Sequence, residues 1–355
     1  MATLHDVARQ AAVSTATVSH VINNNVYVSP KLRARVLKAI RACNYQPNML
    51  ARNLRTNKSK TVGVVVPDIA DPFFPALVRG AEDVLADAGY TLLMGSSDND
   101  QGKEEGYYRT FLERRVDGLL AVVASDRPPE YVQRHDLGKV PIVFADRAYT
   151  DIPADFVGVN NSSASKMAVE HLVRAGYRRI ATVTGPLHLA NARERLAGYR
   201  RALENAGRRE DPPLIREGNF DVSSGYAQTC NLLNLRPRPD AIFIQNPPMT
   251  LGAFRAIQEW GLRCPTEIGL ISFGETDWFD VVRPAISTVF FRSYDIGATA
   301  AEVLLRRLAG QLGGQPIRRN VSVKLLARES TERTRPQGSS GKGKRAQTAK
   351  NEKLS

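Results

Sequence analysis

From residue 61 onward, short apolar runs of β type alternate with amphipathic helical stretches, and this alternation restricts the fold more than any other feature. TVGVVV at 61–66, TLLMG at 91–95, GLLAVV at 118–123 and PIVF at 141–144 read as buried strands, separated by helical segments such as 73–88 and 103–114. The pattern restarts after residue 160 with RIATVT at 179–184, DAIFIQ at 240–245 and IGLISF at 268–273. Strands alternating with helices imply parallel sheets covered on both faces. The two series therefore predict an α/β core of two similar subdomains, each a doubly wound parallel sheet.

Ahead of the core, residues 3–43 read as three short helices joined as an all-α helix-turn-helix head. Leu4, Val7, Ala8 and Ala11 form an apolar stripe behind a cap at Thr3, and Ser14 is a suitable cap for the second helix. Ser29 followed by Pro30 announces the third helix, with Val36, Leu37 and Ile40 expected inward. In the second helix, VSTATVSHVIN at 13–23, Val18, Val21 and Ile22 share one face. The other face presents Ala16, Ser19, His20 and Asn23, short or planar groups with hydrogen-bonding tips, where a solvated helix usually carries Lys and Glu. Residues 46–60, QPNMLARNLRTNKSK, hold a patch of about eight residues that is too short to stay helical alone in water, so a partner is needed to fold it.

The charge is unevenly divided. Residues 1–60 carry ten Lys/Arg and one Asp/Glu, and residues 331–355 carry seven against two. Since the whole chain is +13, the 270 residues between are nearly neutral at −1. A basic head on a neutral body is the footprint of a phosphate-binding module. The segment from 331 has almost no large apolar residues and is expected to be a basic disordered tail. Cys43, Cys230 and Cys264 are scattered and odd in number, which suggests neither a disulfide framework nor a zinc site, and a reducing compartment fits. Neither a signal peptide nor a run of about 18 apolar residues is present, so no membrane partner and a cytoplasmic location are expected.

TVSHVIN at 17–23 followed by YQPNMLARNLR at 45–55 resembles the head and hinge of the LacI-type bacterial transcriptional regulators, the second helix being especially like that of the purine repressor. Further landmarks of that family are PDIADPFF at 67–74, RRVDGLL at 114–120, ARERLAGYR at 192–200, ISFGETDW at 271–278 and ISTV at 286–289. The resemblance covers residues 3–330. It implies a DNA-binding domain over 1–46, a hinge helix and linker over 47–60, and a periplasmic-binding-protein-like core over 61–330. Each core subdomain would be discontinuous, the N-terminal one combining about 61–159 with 289–320 and the C-terminal one about 160–288 with 321–329. Three crossing strands would join them around an effector cleft, and the partners would be double-stranded operator DNA, a small-molecule effector and a second copy in a homodimer or higher oligomer.

On this reading the odd helical face lies in a DNA major groove. Ala16 meets a thymine methyl and His20 donates to guanine, while Thr15 stands near a base edge and Thr17, Ser19 and Asn23 suit phosphate or flanking contacts. Thr3, Leu4, Ser14, Tyr27 and Ser29 complete the contacts of the head, and Asn48, Ala51 and Leu54 those of the hinge. Leu54, between Arg52 and Arg55, corresponds to a leucine wedged into the minor groove, where partial unstacking bends the duplex. The family positions lining the cleft map to Asp71, Phe73, Phe74, Asp146, Arg147, Asn160, Arg195, Phe220, Asn246 and Trp278. An aromatic wall with a few fixed polar groups suits a sugar ring. One departure points elsewhere: where the family usually has an Asn-Asp pair, this chain has Asn246 and Pro247, and proline offers neither carboxylate nor backbone donor. Arg147 and Arg195 are then left to favour an anion, so the expected effector is a sugar or a sugar acid such as a gluconate derivative.

The implied function is a sequence-specific DNA-binding regulator, a repressor, controlled by that effector. Two alternatives stand beside it: control by a protein co-regulator, and a solute-binding protein sharing the core. No Walker-A loop, GxGxxG after a strand, HExxH or nucleophile elbow occurs, and the five histidines are scattered, so no enzyme activity, cofactor or metal is expected.

Overall fold

The computed structural model describes residues 2–23, 26–45, 58–134 and 140–333 and divides into two compact units, one formed by the first 61 residues with 115–117 and one by the remainder. In the first unit, α1 (Leu4–Gln10), α2 (Thr15–Asn23) and α3 (Pro30–Ala42) close around buried Val7, Ala8, Ala11, Val18, Val21, Val36 and Ala39. Thr3 and Asp6 form a capping box at α1, each side chain pairing with the other's backbone amide. The Ser14 hydroxyl accepts from the Thr17 amide at 3.1 Å and so caps α2. Between these helices Ala12 takes a φ of 48°, and Arg35 donates to its carbonyl at 3.2 Å.

Two expectations for the head change. Leu37 is 38% exposed, because the inward arc of α3 runs through Val36, Ala39 and Ile40 and leaves position 37 beside it. Ser29 makes no side-chain cap bond, and the start of α3 rests on Pro30, whose fixed φ suits the first helical position.

In the second unit the first sheet holds β1 (Thr61–Val66), β2 (Thr91–Ser96), β3 (Gly118–Ala121), β4 (Ile142–Ala145), β5 (Asp155–Gly158) and β11 (Arg318–Asn320), in the order β11–β5–β4–β3–β1–β2. The second holds β6 (Ile180–Thr184), β7 (Ile215–Glu217), β8 (Ala241–Ile244), β9 (Gly269–Phe273), β10 (Ser287–Phe290) and β12 (Lys324–Leu326), in the order β12–β10–β9–β8–β6–β7. The central ladders are parallel, as the helical crossovers require, and β12 joins β10 antiparallel. The chain thus passes from one sheet to the other three times, after β5, after β10 and after β11. Each lobe carries helices: α4 (Phe73–Asp87), α5 (Gln101–Glu113) and α6 (Glu130–Arg134) fall among the strands of the first, α7 (Asn161–Arg174), α8 (Ala190–Asn205), α9 (Val222–Leu233) and α10 (Pro247–Glu259) among those of the second. α11 (Ser293–Leu308) returns to pack on α4 so closely that a Cβ on Gly297 would lie 1.8 Å from the Leu77 carbonyl oxygen.

Several expected boundaries move. β10 lies in the second sheet through Phe290, so the crossing there follows 290, not 288. β2 is an outer strand with Thr91 and Met94 exposed, not a buried one, since an edge strand has a neighbour on one side only. The boundary at 331 falls inside ordered structure. Ser330 and Thr331 are buried, and the Thr331 hydroxyl pairs with Ser287 Oγ at 2.6 Å and His171 Nε2 at 2.7 Å. Small hydroxyl residues carry no apolar signal and read as tail composition. Residues 47–57 of the expected hinge and linker, with Asn48, Ala51 and Leu54, and the sequence from 334 lie outside the described residues.

Candidate functional site

A cavity of about 340 Å³ opens between the two lobes. The first lobe lines it with Asp68, Asp71, Phe74, Asn99, Ala124 and Arg147, the second with Pro186, His188, Leu189, Asn219, Phe220 and Asp221. These residues stand on the segments that follow strands β1, β2, β3, β4, β6 and β7, which is where parallel α/β sheets place their binding loops.

Three residues of the site hold left-handed backbone without being glycine: Asn99 and Asp146, both at φ 56°, and Phe220, at φ 63°. Each such conformation costs about 1–3 kcal/mol and needs surrounding contacts to maintain it. Phe220 has them. Its ring lies on Gly185, where a Cβ would come within 1.9 Å, and Asn246 Nδ2 donates to its carbonyl at 2.8 Å. Asn246 does this while its Oδ1 accepts from the Met249 amide at 2.9 Å and caps α10.

Below the lining lies a buried polar layer. Asp146 Oδ2 accepts from Asn191 Nδ2 at 3.2 Å, and Arg195 donates from Nε to Asn161 Oδ1 and from Nη1 to the Gln245 carbonyl, at 2.9 and 2.7 Å. Arg195 Nη2 stands 3.8 Å from Asp146 Oδ1, and Arg147 Nε 3.8 Å from Asp146 Oδ2. Among the described residues Asp146 Oδ1, Arg147 Nε, Asn191 Oδ1 and Gln245 Oε1 are buried with no hydrogen-bond partner. The guanidiniums face aromatic rings: Arg147 lies 5.4 Å from the Phe220 centroid and Arg195 4.0 Å from that of Phe273. Burial pulls the Arg195 pKa down to about 10 and pushes the Asp71 carboxyl up from its usual range, the Phe73 amide partly opposing the latter shift.

Of the effector residues read from sequence, Asp71, Phe74, Arg147 and Phe220 line the cavity, while Asp146 and Arg195 form the layer beneath. Asn246 supports Phe220 from behind. The other three stand elsewhere. Phe73, about 100° around α4 from Phe74, packs on Phe291, and Asn160 is exposed with its oxygen capping α7 through the Ser163 amide. Trp278 packs against Phe254 and Phe279 inside the second lobe. Sequence reasoning missed Asp68, Asn99, Asn161, His188, Asn191, Asn219, Asp221 and Gln245. Asn191 had a usable signal, since it lies four residues before Arg195 on one helical face. Among the described residues no group of three or more His, Cys, Asp or Glu side chains is placed to hold a metal ion.

In the head, Ala16 and Ser14 are exposed and Thr15, Thr17, Ser19 and His20 half-buried, whereas Tyr27 is 87% exposed. Thr3 and Leu4 begin α1, and the Ser14 hydroxyl also pairs with Thr17 Oγ1 at 2.9 Å. Asn23 ends α2.

Residues 3–48 match the model of bacterial regulatory proteins of the lacI family, and residues 169–331 match the periplasmic binding protein-like domain. The HTH-type transcriptional repressor PurR of Aliivibrio salmonicida (strain LFI1238) is 35% identical over 308 residues, which cover 87% of this chain and 92% of that protein. The chain belongs to the lacI family. The ribose operon repressor of Escherichia coli (strain K12) is likewise 35% identical over 310 residues, covering 87% and 93%. Among solved structures, the lac repressor dimer bound to operator and the anti-inducer ONPF aligns with a TM-score of 0.82 at 28% identity, covering 93% of this chain and 99% of that one. The transcriptional regulator CelR–cellobiose complex aligns at 0.70 and 30% identity, covering 93% and 100%. This lacI-family chain is therefore a DNA-binding transcriptional regulator of the kind governed by small-molecule effectors, and not an enzyme.

Proposed function

We propose that this regulator is a cytosolic, homodimeric repressor that reads an operator through α2 and whose operator affinity is set by a sugar bound between the lobes of its core. The observation that carries the effector reading is the set of buried polar atoms without hydrogen-bond partners at the cleft floor: Asp146 Oδ1, Arg147 Nε and Asn191 Oδ1. Leaving a polar group buried and bare costs about 1–3 kcal/mol. A sugar hydroxyl both donates and accepts, so one hydroxyl can donate to Asp146 and accept from Arg147. Phe74 and Phe220 supply apolar surface for the ring. The departure at Pro247 does not leave the site without a carboxylate, because Asp146 lies at its floor.

A sugar acid is the second reading, favoured by Arg147 and Arg195 standing together. Against it, Asp68, Asp71 and Asp221 share the lining, and two of Arg195's donor nitrogens already serve Asn161 and Gln245. Calorimetric titration of neutral pentoses and hexoses, and of their aldonic acids, decides between them. A neutral sugar should bind the wild-type chain and be lost in Asp146→Ala. Binding of acids alone would establish the second reading, and wild-type affinity for a neutral sugar in Asp146→Ala would overturn the first. If no small molecule altered operator affinity, control by a protein co-regulator would take their place.

The DNA reading rests on the basic head and the projecting groups of α2, and it predicts a fall of about 0.9 log units in affinity per log unit of salt for each phosphate neutralised. Wedge contacts by Leu54, with Asn48 and Ala51 beside it, belong to this proposal. Apolar side chains exposed on the second lobe support self-association: Val222 and Leu251 on α9 and α10, which touch at Gly252, and Val281, which is 74% exposed. The lac repressor dimer bound to operator is the precedent.

A further inference from the structure

We infer that Arg193 is a positioning residue that latches the cleft shut by pairing with Asp126 across it. Neither residue lines the cavity. Arg193 lies in the first turn of α8, in the second lobe, and its Nη2 donates to Asp126 Oδ2 at 2.7 Å. Asp126 follows β3 in the first lobe and is 6% exposed, whereas the Arg193 side chain is half exposed. Among the described residues, Arg193 is the only hydrogen-bond partner of the Asp126 carboxylate. Separating the lobes would break this ion pair, in which Asp126 is the buried partner and Arg193 the half-exposed one.

The pair also connects the two walls. Arg193 Nη1 donates to the carbonyls of Leu187 and His188, at 3.0 and 2.7 Å, which fixes the segment that brings His188 and Leu189 to the cavity. On the opposite side the Thr150 amide donates to the Asp126 carbonyl at 2.9 Å, tying Asp126 to the loop that carries Asp146 and Arg147. One guanidinium thus holds a wall of the second lobe against a braced wall of the first. Asn191, two residues earlier, makes the weaker link to Asp146 and faces the ligand floor, so it answers to whatever binds there. Arg193 stands outside that floor and acts with the cleft empty.

The purpose of the latch rests on the cleft reading above, but its existence is a property of the ligand-free chain and is tested there. Spin labels introduced as unnatural amino acids at exposed Arg114 and Asn205, one per lobe, report the lobe separation in the full chain by double electron–electron resonance. Asp126→Asn and Arg193→Gln should each lower the closed-to-open ratio by about five- to thirtyfold, the range that loss of one such interaction covers. The double variant should open no further than either single one, and Arg193→Lys, which keeps the charge, should recover part of the closed population. Unchanged distances in both single variants would overturn the latch. So would a change in Arg193→Gln alone, which would reduce Arg193 to a local brace of the Leu187 and His188 carbonyls, and so would additive effects in the double variant. A failed sugar reading shows instead as absent heat in calorimetry and leaves these distances untouched.

Discussion

Replacing Asn246 separates two jobs that one side chain performs. Its Oδ1 caps α10 through the Met249 amide at 2.9 Å, and its Nδ2 holds the Phe220 carbonyl at 2.8 Å. Asn246→Ala loses both: about 1 kcal/mol for the cap, and about 1–3 kcal/mol for leaving the part-buried Phe220 carbonyl unpaired. The expected loss of stability is therefore about 2–4 kcal/mol, measured by denaturant unfolding. Asn246→Asp keeps the cap oxygen, and its charge suits a helix N-terminus, but it exchanges the donor for a carboxylate facing the Phe220 carbonyl. Phe220 sits at φ 63°, a conformation about 1–3 kcal/mol above the common regions, and without Asn246 the chain gains by relaxing it. The ring would then leave Gly185 and Arg147. At 1.4 kcal/mol per decade, release of that strain lowers affinity for the sugar found by calorimetry by roughly five- to hundredfold in the Asp variant. Operator affinity without sugar should change little, since the head is untouched. If Asn246→Asp bound sugar like the wild type, Phe220 would not need its strained backbone to serve the site, and the positioning argument would fall.

Three further outcomes follow from single contacts. Asp71 has a carboxyl pKa raised by burial above 3.8, so its ionisation opposes folding: the group's contribution is most favourable below the unfolded value and diminishes as pH rises through the folded one. Asp71→Asn, which keeps an oxygen for the Phe73 amide, should raise the melting temperature at pH 7, with the gain vanishing as pH falls below the unfolded value; a constant gain across that range would exclude the titration as its cause. Gly297→Ala places a Cβ 1.8 Å from the Leu77 carbonyl oxygen in the α4–α11 contact, and the overpacking should destabilise by about 1–3 kcal/mol in urea unfolding. His20→Ala should reduce operator discrimination over random DNA by about 1–3 kcal/mol in competitive gel-shift titrations, and an unchanged ratio would remove His20 from base reading.

The strands that sequence patterning found are the covered ones. β1, β3, β4, β6, β8 and β9 are continuous apolar runs because both faces are covered, and such runs stand out from any neighbour. β7, β11 and β12 escaped by residue pattern: IRE, RRN and KLL are short, edge-placed and charged, and only pairing with β6, β5 and β10 makes them strands. β5 is different. DFVG is buried throughout, yet its Asp155 reads as a loop residue until Arg307 appears 152 positions away with both carboxylate oxygens in reach, at 2.6 and 2.8 Å. Such a partner is set by the return of α11 to the first lobe, and no local window contains it.

The site divides in the same way, between what a residue type announces and what a partner decides. Phe74, Arg147 and Phe220 announce themselves by size and charge, and family resemblance gave their positions. The buried amides do not: Asn161, Asn191 and Gln245 look like ordinary polar residues, and only Arg195 and Asp146, brought in from other elements, turn them into a floor. Asn160 and Asn161 show how fine the distinction is. They are chemically identical and adjacent, yet one oxygen is used by the Ser163 amide at the start of α7 and the other by the Arg195 guanidinium. Which of the two faces the cleft is a matter of helix phase, and the phase is set by the close packing of α7 on α8, where a Cβ on Gly198 would lie 2.2 Å from the Ser162 carbonyl oxygen. A one-residue change of that phase would rotate Asn161 by about 100° and unpair Arg195. Asn160→Gly, which removes the cap oxygen but tolerates the same backbone, should cost only a few tenths of a kcal/mol in unfolding and leave sugar affinity intact. Loss of affinity in that variant would mean that the cap bond, and not the packing of α7 against α8, holds the phase.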